Sequence, residues 1–237
     1  MNIGSEMQEI SSNNKRIAKN TVSLYIRMLV TMFVGLYTSR VVLQTLGVAD
    51  FGIYNVVGGI VTMCVFISNT LSSASQRFFA FEIGRNDTVQ LRKVFSASLF
   101  IYVAFVLVIL ILAETVGRWF VENKLNIPPS REAAAYFVYH FSVLSFLSSI
   151  IRVPYNALII ARERMGFYAW ISIVEAALKL LIVYLLVWLS FDKLKLYAVL
   201  MFFVVFLITL IYVVYCRIKF YECRVICLLY TSPSPRD

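Results

Sequence analysis

Glu175 and Lys179 lie four residues apart inside a long apolar run, with Ser172 on the same face. In a helix that spacing, acid before base, makes an i,i+4 ion pair. Two readings stay open. The pair neutralises itself so that the helix inserts more cheaply, or it faces a cavity where the lysine can release the glutamate to an anionic substrate or a coupling cation. The preceding run places Ser142, Ser145, Ser149, Arg152 and Asn156 at three- and four-residue steps, which is one helical face. Pro154 falls within it and removes a backbone donor, so a kink or break is expected there. Nearer the N-terminus, Asn55, Thr62, Asn69 and Gln76 recur every seven residues, with Gly58, Gly59, Ser72 and Ser73 beside them and Arg77 at the end. This stripe is either a close-packed seam between helices or a face lining an aqueous lumen. Arg27 and Arg40 share the first apolar run, roughly 20 Å apart along a helix axis. Thr31, Thr38, Ser39 and Gln44 lie near them.

Taken together, Arg27, Arg40, Arg77, Arg152 and Lys179 stand against Glu175 and Glu114. A net positive interior suits an anionic ligand, and guanidinium groups match phosphate oxygens two at a time. Asn55, Asn69, Gln76 and Asn156 complete the candidate substrate-binding set. His140 falls off the Arg152 stripe and reads as a packing or interfacial residue, not a proton relay. No Gly-rich phosphate loop, Ser/His/Asp arrangement or metal-ligand spacing occurs. The expectation is therefore a non-enzymatic protein without cofactor or metal. The cysteines are Cys64, Cys216, Cys223 and Cys227. Cys64 reads as a packing residue, and the other three do not have zinc spacing.

The elements that must position these groups are membrane helices. The chain is 60% hydrophobic and 15% charged, with a mean hydropathy of +0.80. A soluble domain carries about 25% charged residues. The apolar residues also come in runs long enough to cross a bilayer, about 20 residues each. Six spans are expected, near residues 22–46, 53–81, 94–116, 134–160, 169–189 and 196–215. A turn at 47–52 separates the first two. The last is almost purely apolar, apart from Thr209 and Tyr212, and is expected to face lipid or a second lobe. The fold class is all-α: a polytopic bundle over residues 21–220 behind a cytoplasmic segment, 1–20. That segment is polar and basic, and no small-residue cleavage site follows the first apolar run, so no cleavable signal peptide is expected.

The net charge is +9. The basic residues flank the apolar runs, which argues for membrane orientation and against nucleic acid as a partner. With the N-terminus inside, the cytoplasmic segments hold eleven Lys and Arg and the outer segments five, so a cytoplasmic N-terminus is expected. Residues 228–237, ending Ser-Pro-Ser-Pro-Arg-Asp, match no upstream chemistry and read as a non-native tail.

Several stretches also carry a family likeness. They are Asn20-Thr21, Ser39-Arg40-Val41-Val42-Leu43 and the run from Leu46-Gly47-Val48-Ala49-Asp50-Phe51-Gly52 through Ile53-Tyr54-Asn55-Val56-Val57-Gly58-Gly59. Ser75-Gln76-Arg77-Phe78, Val153-Pro154-Tyr155-Asn156-Ala157 and Ala161-Arg162-Glu163-Arg164-Met165 follow in order. From about Asn13 to Glu222 the chain resembles the bacterial polysaccharide (O-antigen type) flippases of the multidrug/oligosaccharidyl-lipid/polysaccharide exporter superfamily. The resemblance implies an inner-membrane transporter of lipid-linked oligosaccharide working by alternating access. Members have twelve or fourteen helices in two bundles. The chain is thus expected to be an N-terminal lobe, completed by a C-terminal lobe or a second copy. A cation-coupled multidrug exporter of the same superfamily and a nonfunctional membrane fragment are the alternatives. The first would need acidic residues at depth, and Glu175 is the strong candidate.

Overall fold

The computed structural model describes residues 3–62, 65–124, 127–128, 131–188 and 192–223. All regular structure among the described residues is helical. The helices are α1 (Ile3–Thr62), α2 (Val65–Gly84), α3 (Thr88–Leu112), α4 (Arg118–Lys124), α5 (Glu132–Ala161), α6 (Met165–Trp188) and α7 (Lys193–Lys219). A π-helical turn, Ala113–Gly117, joins α3 to α4, and a short 3₁₀ turn, Tyr221–Cys223, follows α7. Five stretches are long and apolar enough to cross a membrane: Asn20–Gly59, Thr88–Val121, Glu132–Ala161, Met165–Trp188 and Lys193–Lys219. Their outer surface is apolar too: Leu36, Trp188 and Ile218 are 66%, 88% and 79% exposed. An apolar exterior over helices of this length makes the chain a multi-pass membrane protein.

The expected turn at 47–52 is concentrated in one residue. Gly47 has φ 81 and ψ 166, and α1 is helical on both sides of it. Contacts show how the direction changes. The first arm, residues 3–46, runs parallel to α6: Arg27 lies over the Tyr168 ring at 4.2 Å, and Tyr37 and Tyr184 share a 3.0 Å hydroxyl contact. The second arm, 48–62, runs with α5 instead. Asp50 pairs with Arg131 at the start of α5 at 3.2 Å, and Gly58 and Val61 reach Ser142 and Phe146 further along. Because α5 and α6 are antiparallel across the turn at Arg162, the two arms of α1 run in opposite directions.

The segment 1–20 is helical from Ile3, continuous with the first arm. The α2–α3 turn forms where Gly84-Arg85-Asn86-Asp87 predicts it. Asn86 takes φ 56, which asparagine tolerates. Asp87 caps α3 by accepting from the Gln90 N–H at 2.8 Å. Residues 228–237, Cys64 and Cys227 lie outside the described residues.

Two expectations are narrowed. Pro154 does not break α5, which continues to Ala161 with the proline buried. The turn is held by neighbours on both sides: Tyr155 packs edge-on to Phe95, and its carbonyl accepts from the Cys216 thiol at 3.8 Å. The last helix faces outward on one side only. One face of α7 is core, with Tyr197, Ile208, Tyr212 and Cys216 buried and Thr209 donating to the Ser148 carbonyl at 3.2 Å. Its other face, with Phe203 and Ile218 at 59% and 79%, is exposed. An almost purely apolar sequence carries no stripe to distinguish a lipid face from a protein face, which is why sequence did not show that one face is core.

The π turn has an identifiable cause. The Tyr139 hydroxyl of α5 donates to the Ala113 carbonyl at 2.7 Å, at the place where the α-helical ladder is interrupted. Gly117 makes room for that ring: a Cβ there would lie 2.0 Å from the Tyr139 oxygen. Tyr139 is 1% exposed and cannot swing away freely. Gly117→Ala should cost about 1–3 kcal/mol by overpacking. Adding Tyr139→Phe should recover part of that loss, a coupling that a double-mutant cycle of thermal unfolding would read.

Candidate functional site

Three helices build the polar centre. The i,i+4 pair in α6 forms as its spacing predicts, with Lys179 Nζ donating to Glu175 Oε1 at 2.8 Å. The other carboxylate oxygen, Oε2, accepts from Arg152 of α5 at 3.0 Å. Glu175 is thus held by two cations from two helices, with side chains 19% exposed for Glu175, 22% for Arg152 and 34% for Lys179. The Arg152 guanidinium also lies 5.6 Å from the Tyr212 ring of α7.

This triad separates two cavities. One, of about 380 Å³, lies between the first arm of α1 and α6; Arg27, Thr31, Thr38 and Ser39 line it opposite Ser172, Glu175 and Lys179. The other, of about 290 Å³, lies among the second arm of α1, α5, α6 and α7; Ser142, Ser145, Ser149 and Arg152 line it together with Tyr54, Glu175 and Lys179. Glu175 and Lys179 belong to both. Formally the chamber holds Arg27, Arg152 and Lys179 against Glu175 alone. The buried Arg27 Nε and Thr38 Oγ1 have no hydrogen-bond partner. Buried polar atoms are normally satisfied, so both stand out as donors without an acceptor among the described residues.

The structure therefore gathers Arg27, Arg152, Glu175 and Lys179. It does not bring the other predicted residues to them. Arg40, Asn55, Asn69 and Arg77 are exposed on the bundle surface. Asn55 turns its amide back to the Phe51 carbonyl at 2.8 Å, and Gln76 donates to Ser72 at 3.1 Å. Asn156 is partly buried, and its side-chain oxygen lacks a partner.

Other groupings had no local sequence signal because they cross helices. At one end, Arg131 bridges Asp50 at 3.2 Å and Asp192 at 3.5 Å, tying together the second arm of α1 and the starts of α5 and α7. At the opposite end, Arg162 pairs with Glu222, and Arg92 lies 5.1 Å from the Tyr221 ring. His140 is half-exposed, 2.8 Å from the Tyr136 carbonyl through Nδ1 and 3.6 Å from Glu114 through Nε2. Cys216 and Cys223 are free and buried. The adjoining Cys216 thiol, and then burial, push the Cys223 thiol up from its ordinary range. Among the described residues no three His, Cys, Asp or Glu side chains gather as metal ligands.

Compared with known proteins, the chain matches no family model, no curated protein and no solved structure.

Proposed function

We propose that the chain forms a six-crossing bundle of a flippase for lipid-linked oligosaccharide, a polyprenyl-diphosphate glycan of cell-surface polysaccharide synthesis. In this reading it sits in the bacterial inner membrane with its N-terminus in the cytoplasm. One observation carries the reading: Glu175 is held by Arg152 and Lys179 inside membrane-spanning segments, and Arg27 lines the adjoining cavity. Charge at that depth is expensive and marks a substrate or ion path. A diphosphate offers several oxygens to Arg27 and Arg152, and the low dielectric strengthens their attraction.

Length supports six crossings. Residues 20–46 of α1 give about 40 Å of helix, enough for one crossing of a hydrocarbon core of about 30 Å. The chain turns at Gly47, and residues 48–62 together with α2 would make the return crossing. Exposed Arg40, Asn55, Asn69 and Arg77 would be costly against lipid. A second bundle or a second copy would cover them, placing the chamber between two lobes as in paired-repeat transporters. The head would displace Glu175 from Lys179, and the glycan would follow the serine-lined wall. A cation-coupled drug exporter would need a free acidic group, whereas Glu175 is already bound by two cations.

Proteoliposomes carrying a fluorescent lipid-linked diphosphate oligosaccharide provide the test. With the protein present, glycan in the inner leaflet should become accessible to an external quencher faster than in protein-free vesicles. Arg152→Ala should abolish the acceleration. If the protein gives no acceleration, or if the Arg152 variant matches wild type, the reading is overturned.

A further inference from the structure

We infer that the apolar cavity at the π turn seats the hydrocarbon chain of the amphiphile whose anionic head is held at Arg152 and Lys179. The inference rests on the functional reading above and adds where the chain goes. The cavity measures about 330 Å³ and is walled by Val61, Ile109, Leu112, Val116, Val143 and Phe146. It is a built feature. The Tyr139 hydroxyl interrupts the α3 ladder at Ala113, and Gly117 leaves space for the ring. Such π turns recur at functional sites.

Water is a poor occupant, because a buried water needs two to four polar partners and this wall offers side chains that are almost all hydrocarbon. The mouth opens outward past Leu112, Val116 and Phe120, which are 48%, 59% and 39% exposed. It lies within the spans Thr88–Val121 and Glu132–Ala161, so hydrocarbon can enter from the side.

Continuity selects the occupant. Val61 and Phe146 line both this cavity and the polar one that holds Ser142, Ser145, Arg152 and Lys179. The two therefore share a wall, apolar on one side and cationic on the other. A bulk phospholipid chain gains little by leaving one hydrocarbon environment for another. A chain tethered to a head already bound next door enters at a high effective concentration.

The test uses purified full-length chain and an alkyl diphosphate carrying a diazirine midway along its tail. Photolabelling followed by peptide mapping should place the label on 109–120 and 139–146. Excess inorganic pyrophosphate, which displaces the head, should remove that label. Val116→Trp and Leu112→Trp, which fill the exposed mouth, should also remove it while unfolding at the wild-type temperature and binding pyrophosphate as wild type does. Labelling that persists in pyrophosphate means a bulk lipid chain occupies the cavity and overturns the inference. So does labelling that maps elsewhere while pyrophosphate still binds. Failure of pyrophosphate to bind at all instead overturns the functional reading beneath it.

Discussion

Glu175→Gln should lower the unfolding temperature of the purified protein more than any other single change in the polar chamber, and a polyanion should restore it. Glu175 receives Arg152 at 3.0 Å and Lys179 at 2.8 Å. Arg27 lines the same chamber from α1. Removing the carboxylate leaves Arg152 and Lys179 facing one another with no anion between them. Breaking a buried ion pair by deleting one partner costs about 3–5 kcal/mol. The chamber is partly open, so a value near 3 kcal/mol is expected here. The same substitution should raise affinity for inorganic pyrophosphate, because Glu175 is the internal competitor for those cations. Thermal unfolding with and without pyrophosphate reads both effects. An unchanged unfolding temperature would mean that the triad contributes nothing to holding α5 on α6.

Gly47→Ala is the second large effect, and its origin is different. At φ 81 and ψ 166 the backbone lies in a region that is essentially reserved for glycine. A Cβ built at Gly47 meets nothing within 4 Å, so the penalty is conformational and not steric crowding by neighbours. Holding an L-residue there costs about 1–3 kcal/mol, and a β-branched residue costs more. The alternative is to straighten α1, which would separate Asp50 from Arg131 or Arg27 from Tyr168. Gly47→Ala should therefore destabilise by about 2 kcal/mol, and Gly47→Val should fold poorly. Gly52→Ala is the control: its Cβ also meets open space, but its φ is not positive. Helix propensity makes that change neutral or stabilising by up to about 1 kcal/mol. Equal unfolding temperatures for the two alanine variants would contradict this account of the turn.

What the sequence could show follows from the range of each interaction. The Glu175–Lys179 pair was legible because both partners lie one turn apart on one helix. The turn at 47–52 was legible because two glycines and an aspartate interrupt an apolar run. The arrival of Arg152 at the same carboxylate was not, because the rotation of α5 against α6 is set by packing across both helices. That α5 runs on past Pro154 was not legible either, because the contacts from α3 and α7 to the adjoining Tyr155 are long-range. Arg40 is another matter. Thirteen residues separate it from Arg27, and at about 100° per residue this puts the two on largely opposite faces. That arithmetic separates them without a structure. The π turn has no proline or glycine signature at its start, and its cause, Tyr139, is 26 residues away from Ala113.

The central claim is that the chamber around Arg152 and Lys179 receives a diphosphate. Titration of inorganic pyrophosphate against thermal unfolding of the purified chain tests it most directly. A ligand that binds only the folded state raises the unfolding temperature in proportion to the logarithm of its concentration. The comparison is the neutral triad Arg152→Gln, Glu175→Gln and Lys179→Gln, which removes both signs of charge together and leaves none of the three paired groups as a lone ion. Wild type should be stabilised by pyrophosphate, less so as salt is added, and the neutral triad, which keeps only Arg27, should show a much smaller shift. Stabilisation of equal size in the two proteins, or none in wild type, would contradict the account.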